Sequence, residues 1–168
     1  GIVTRFVGHK GIDLIRCVFD QMVQSGIRFA VLGSGERIYE DFFREMAARY
    51  PGKVSVTIGF VSELSHRIYA GADMFLMPSQ SEPCGLAQMI AMRYGTVPIV
   101  RETGGLRDSV RDNGGVNGNG FTFKTYNADD MLDAVNRAVR DYNNKSEWIS
   151  LVKRAMECDY SWASSADL

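Results

Sequence analysis

Short apolar runs alternate along the chain with longer stretches of helical period, and that alternation predicts the architecture. Phe29-Ala30-Val31-Leu32, Val54-Ser55-Val56-Thr57-Ile58, Met74-Phe75-Leu76-Met77 and Val97-Pro98-Ile99-Val100 read as strands, and Gly1-Ile2-Val3 has the same character. Between them, residues 11–25 place Ile12, Ile15, Val18, Phe19 and Met22 on one helical face. Residues 38–50 do the same with Ile38, Phe42, Met46 and Tyr50, while 63–71 and 85–95 supply two further helical segments. Strands separated by helices imply βαβ units with right-handed crossovers, and near-continuous apolar strands imply a sheet covered on both faces. The expected fold class is α/β, a Rossmann-like and mainly parallel sheet with helices on both faces.

Further along, Asn113 to Gly120 reads as a turn-forming loop within the domain, and Phe121-Thr122-Phe123 as one more short strand. Residues 128–142 form a helix with Met131, Leu132, Val135, Ala138 and Val139 facing inward, Asn127 as its cap, and Asp129 and Asp130 in its first turn. A last helix over residues 146–158 is expected to be capped by Ser146. The 168 residues suffice for one domain with a proper core. Nineteen basic residues against 20 acidic ones leave no electrostatic footprint for nucleic acid. No apolar stretch approaches a membrane span and no signal-peptide pattern opens the chain. Cys17, Cys84 and Cys158, odd in number and far apart, argue against a disulfide framework or a zinc site and fit a reducing cytoplasm. With Gly1-Ile2-Val3 already in strand character and Asp167-Leu168 following an aromatic cluster, the chain reads as one domain cut from a longer enzyme.

The candidate chemistry lies in loops that follow the strands. In Pro78-Ser79-Gln80-Ser81-Glu82-Pro83-Cys84-Gly85-Leu86, Glu82 falls between a strand and a helix expected from Gly85 onward, where open α/β sheets hold their ligands. Pro78 and Pro83 stiffen the approach. The plainer alternative for Glu82 is a helix-start carboxylate facing water, and for Cys84 a small buried hydrophobe, since no histidine accompanies the thiol. His9 and His66 read as structural. After the opening strand, Arg5 offers a fork of donors and Lys10 a point charge that together could hold a diphosphate, with amides of the helix near Gly11; the alternative is two surface cations. Gly33-Ser34-Gly35 reads as a tight turn that lets a ligand approach backbone, and Ile38 standing in place of a third glycine makes it a weak nicotinamide signal. Phe60 could stack on a planar base or be an ordinary core aromatic. Thr103-Gly104-Gly105-Leu106 repeats the strand-end, glycine-rich arrangement. A carboxylate and several free amides along one sheet edge suggest a phosphate-bearing ligand.

These stretches, with Ser65-His66-Arg67-Ile68-Tyr69-Ala70-Gly71-Ala72-Asp73, Ala91-Met92-Arg93-Tyr94-Gly95-Thr96-Val97-Pro98 and Tyr160-Ser161-Trp162, give the chain a resemblance to a known family. It resembles the carboxyl-terminal half of bacterial glycogen synthases and plant starch synthases, retaining glucosyltransferases of the two-domain GT-B fold. The resemblance covers nearly the whole chain. It implies that residues 1–168 bind a nucleotide-sugar donor, ADP-glucose, and that residues from about 143 onward form a helical tail leading back toward an amino-terminal domain. Arg5 and Lys10 would hold the diphosphate, Phe60 would take the place of a base-stacking tyrosine, and Gly33, Ser34 and Gly35 would line the nucleotide side. Glu82, with the backbone of Cys84, Gly85 and Leu86, would meet the glucosyl hydroxyls, and Thr103, Gly104 and Gly105 would approach the distal phosphate. No metal or other cofactor is implied. Glycogen or another α-glucan would be the acceptor, with neither nucleic acid nor membrane as partner, in the cytoplasm.

Ile90 stands where sucrose synthases and their relatives carry a second glutamate, which disfavours that branch. The family's Lys-x-Gly-Gly-Leu loop, which belongs to the amino-terminal domain, does not occur here, so this chain alone is expected to bind nucleotide with almost no transfer. The rival readings are a GT-B transferase using UDP-glucose and a non-catalytic nucleotide-binding module.

Overall fold

A computed structural model describes residues 1–161, 163 and 164; Trp162 and the final Asp167-Leu168 lie outside the described residues. Its strands are β1 (Ile2–Phe6), β2 (Phe29–Gly35), β3 (Val54–Ile58), β4 (Met74–Met77), β5 (Val97–Arg101) and β6 (Phe121–Phe123). Its helices are α1 (Ile12–Gln24), α2 (Arg37–Arg49), α3 (Ser62–Gly71), α4 (Ala87–Arg93), α5 (Gly104–Ser109), α6 (Ala128–Tyr142) and α7 (Lys145–Glu157), with a 3-10 turn at Gly8–Lys10. Among the described residues no helix is long and apolar enough to cross a membrane.

All strand pairs are parallel, in two runs of order β1-β2-β3 and β4-β5-β6. Gly1 joins them: its nitrogen donates to Met74 O at 2.7 Å and its carbonyl accepts from Leu76 N at 3.0 Å, the alternating pattern of a parallel ladder. The sheet therefore runs β3-β2-β1-β4-β5-β6 and reverses direction between β1 and β4. That reversal is the topological switch point, whose crevice opens at the carboxyl ends of the strands. One large apolar cluster gathers Ile12, Ile15, Val18, Phe19 and Met22 of α1 with Phe43 and Met46 of α2 and Met131, Ala134 and Val135 of α6. The opposite face carries smaller clusters built from α3, α4 and α5, around Tyr69, Ala91, Met92 and Leu106. Asn127 caps α6, accepting from Asp129 N at 2.8 Å and Asp130 N at 3.2 Å.

Four local expectations are corrected. Ile38 is 55% exposed, and Phe43 takes the buried place on α2 against the ring of Phe6. A ladder of every fourth residue drifts about 40° per step around a helix, so its first member winds off the buried face. Ser146 lies inside the first turn of α7 and donates to Asn144, which is the N-cap residue. Only Asn143-Asn144 connect α6 to α7, so the chain re-enters a helix at once. Helix α4 begins at Ala87; Gly85, at φ +70°, keeps its segment out of helical geometry. Finally, Gly33-Ser34-Gly35 is strand, with only Glu36 between it and α2.

Glycine acts where the loop after β4 lies on its neighbours. A Cβ on Gly11, itself at φ +80°, would stand 2.2 Å from Pro78 O; on Gly104, 2.1 Å from Glu82 O; on Gly105, 1.7 Å from Cys84 O. Gly105 N donates to Glu82 O at 3.0 Å and Gln80 N to His9 O at 2.9 Å, so the loop is bonded to its neighbours on both sides.

Gly105→Ala should therefore cost more than about 3 kcal/mol in chemical denaturation, because backbone has to move, while Gly71→Ala, with nothing near its Cβ, should be neutral or stabilising.

Candidate active site

The switch point brings two sequence-distant charges together. Lys10 enters from the 3-10 turn after β1 and Glu82 from the loop after β4, and Lys10 Nζ lies 2.6 Å from Glu82 Oε2. Both side chains are largely shielded, at 16% and 12% exposure, so water screens the pair weakly. Ser79, itself buried, donates to the same oxygen at 3.4 Å. Glu82 is thus not the water-facing carboxylate of the plainer reading. Cys84 is exposed and not a buried hydrophobe, because the loop lies on Gly105 through its backbone and turns the thiol outward.

The other expected residues follow the same sheet edge. Arg5 is exposed at the end of β1, and among the described residues no acceptor or ring engages its guanidinium. The β1–β2 register sets it beside Ser34 and sets Phe6 beside Gly35. A Cβ on Gly33 would lie 2.0 Å from Thr4 O and one on Gly35 2.4 Å from Phe6 O, so this Gly-x-Gly serves close cross-strand packing and not a turn. Gly59 N bonds to Gly33 O at 2.9 Å, and Phe60 follows with 88% of its surface exposed, so it is not a core aromatic. On the far side of the switch point, Thr103 is the N-cap residue of α5 and Gly104-Gly105 lie beneath Glu82 to Cys84. Leu86 is exposed before α4. From β3 to β5 the edge presents an open aromatic ring, a free guanidinium, the Lys10–Glu82 pair and a glycine shelf.

His66 lies on α3 with Nδ1 3.2 Å from Tyr94 OH, and His9 contributes its carbonyl to Gln80. Two amides of this edge already have acceptors: Gly8 N donates to Glu36 Oε1 at 3.1 Å and Gly35 N to Glu40 Oε1 at 3.0 Å.

Sequence reasoning passed over Ser79, Gln88 and Arg101. Gln88 is fully buried and its amide donates to Gly85 O at 2.9 Å, to Cys84 O at 3.4 Å and to Ser109 Oγ at 3.0 Å. Its signal was a polar side chain three and four places before the apolar Ala91 and Met92, on the same helical face. Arg101 ends the apolar strand β5, donates through Nη1 to Gln80 O at 2.8 Å and stacks over the ring of Tyr126, 5.6 Å from its centroid. Tyr126 in turn donates to Asp13, and burial together with that bond pushes its phenol well above the usual range. Only the fold shows that Arg101 reaches the loop.

Comparisons with known proteins give the chain a family and a fold. The glycosyl transferases group 1 family model matches residues 1–154. The glycogen synthase of Geobacillus thermodenitrificans is 55% identical over 168 residues, covering 99% of this chain and 35% of that protein. The glycogen synthase of Geobacillus stearothermophilus is 54% identical with the same coverage. The solved catalytic domain of starch synthase IV from Arabidopsis thaliana, bound to ADP and acarbose, superposes with a TM-score of 0.90 at 38% identity, over 99% of this chain and 36% of that one. The chain thus spans about a third of the length of the curated relatives it matches, and its architecture is that of the carboxyl-terminal domain of a GT-B glycosyltransferase. Matched over all but its last helix turn and tail, the chain belongs to the group 1 family of glycosyl transferases.

Proposed function

We propose that this chain is the donor-binding domain of a cytoplasmic glycogen synthase, which passes glucose from ADP-glucose to the non-reducing end of an α-1,4-glucan with retention of configuration. The observation that carries the proposal is the Lys10–Glu82 contact across the switch point, together with the 55% identity to a glycogen synthase. Phe60 offers its open face to the base, and Arg5 its unengaged fork to the phosphates. Lys10 spends one of three donors on Glu82, which leaves two for the diphosphate and couples the leaving group's charge to the carboxylate. Cations and backbone amides then stabilise the developing charge without a metal ion. The backbone of Cys84, Gly85 and Leu86 faces the sugar, and Thr103 to Gly105 the distal phosphate.

Glu82 is a positioning and charge-stabilising group in this scheme and not a covalent nucleophile. Its Oε2 is held by Lys10 and Ser79, which fixes the carboxylate as a charge and hydrogen-bond partner beside the sugar subsite. Same-face attack, with the departing phosphate taking the acceptor's proton, fits better than the double displacement of paired carboxylates. The acceptor would be held by an amino-terminal domain, toward which the tail beyond α6 leads. A purely regulatory nucleotide-binding module has no use for a shielded carboxylate beside the sugar subsite.

Titrating the 168-residue chain with ADP, UDP and NAD while following amide shifts should show ADP bound preferentially, with shifts at Arg5, Lys10 and Phe60. Preference for UDP would replace the donor, and preference for NAD would overturn the assignment. Phe60→Ala should weaken ADP by about 5- to 10-fold, the worth of one stacked ring. Incubated with ADP-glucose and glycogen, the chain alone should give no measurable transfer; turnover near that of a full-length enzyme refutes the division of labour. In the full-length enzyme Glu82→Gln should lower kcat by about 100-fold or more while ADP affinity stays within about threefold.

A further inference from the structure

Among the described residues, two buried side-chain polar atoms have no hydrogen-bond partner, Gln88 Oε1 and Arg101 Nε. Both belong to residues whose other nitrogens hold carbonyls of one loop. Arg101 Nη1 takes Gln80 O, two residues before Glu82; Gln88 Nε2 takes Cys84 O and Gly85 O, two and three residues after it. They grip the loop on opposite sides of the carboxylate. From this we infer that Arg101 and Gln88 are positioning residues for the transfer reaction, setting the place at which Glu82 meets the sugar. The inference rests on the donor-site reading of Glu82 given above.

The chain of contacts is continuous. Gln80 is fixed at both ends, its N–H on His9 O in the Lys10 turn and its carbonyl on Arg101. Arg101 is itself held over Tyr126, whose hydroxyl is tied to Asp13 in the first turn of α1. The segments after β4 and β6 therefore meet on one guanidinium at the end of β5, and each is tied in turn to the segment after β1. On the other side Gln88 also donates to Ser109 Oγ, which bonds to Gly105 O and so tethers the same amide to the glycine shelf. Leaving a buried acceptor and a buried donor unpaired is costly, and natural chains keep such atoms at sites that do something besides fold. Here both costs fall on the two clamps of a single loop. Each holds the loop through backbone carbonyls.

The test begins with the 168-residue chain and needs no catalysis. In Arg101→Met, hydrogen exchange at the Gln80 and Gly105 amides should accelerate by about tenfold or more, while Leu32 in β2 keeps its protection. In the full-length enzyme the same change should lower kcat by about 10- to 100-fold with little effect on KM or ADP affinity. Arg101→Lys, which retains a donor for Gln80 O, should recover part of that loss. Gln88→Met should repeat the kcat-selective pattern from the other side of the loop. Unchanged exchange at Gln80 and Gly105, or a rise spread evenly over the sheet, overturns the inference. Local exchange changes in Arg101→Met, found beside a full-length wild-type protein that transfers no glucose from ADP-glucose, would sink the transferase reading and leave the clamp standing.

Discussion

Backbone carbonyls of one loop rest directly on three glycines, and the site depends on that contact. Pro78 O needs Gly11 bare, Glu82 O needs Gly104 bare, and Cys84 O needs Gly105 bare. A methyl group at any of the three would overlap main chain, which cannot rotate out of the way as a side chain can. The close approach does more than save space. It puts the loop after β4 within hydrogen-bonding reach of the loops after β1 and β5, so Lys10 and Glu82 meet although 71 residues separate them. Sheet order makes the meeting possible, since β1 and β4 are neighbours only because the chain reverses there.

Charge follows from that packing. A lysine and a glutamate held 2.6 Å apart with most of their surface covered form a pair that strongly resists losing one partner. The same edge supplies internal carboxylates to other exposed amides: Glu36 and Glu40 take Gly8 N and Gly35 N. Among the described residues of this edge Arg5 and Phe60 stay unengaged, and both lie on the β1-to-β3 side of the reversal. Aromatic face, cation, bridging ammonium and carboxylate succeed one another along the edge from β3 to the loop after β4.

Most of the fold was legible because parallel sheets write themselves as apolar runs. β3, β4, β6 and α6 fall where the runs and periods put them. The errors share a cause, which is that local patterns permit more than one solution. Adjacent Phe42 and Phe43 fit two stripes on α2, and the ring of Phe6, which packs on Phe43, chooses between them. Asn144 and Ser146 are both capping types, and a two-residue connection selects the earlier. Gly33 and Gly35 look like a turn because glycine usually means one; in a strand they answer to the carbonyls of β1.

Element order, strand runs, the loop glycines and the residue types at the sheet edge were determined by sequence alone, because periodicity, turn chemistry and family-specific stretches are local properties. Which loops touch, which charges pair and which side chains hold the Glu82 loop from beneath were decided by the tertiary structure. Gln88 and Arg101 show the reason. Each is an ordinary polar residue in its own segment, and its role exists only relative to carbonyls that the chain brings back from 3 to 21 residues away.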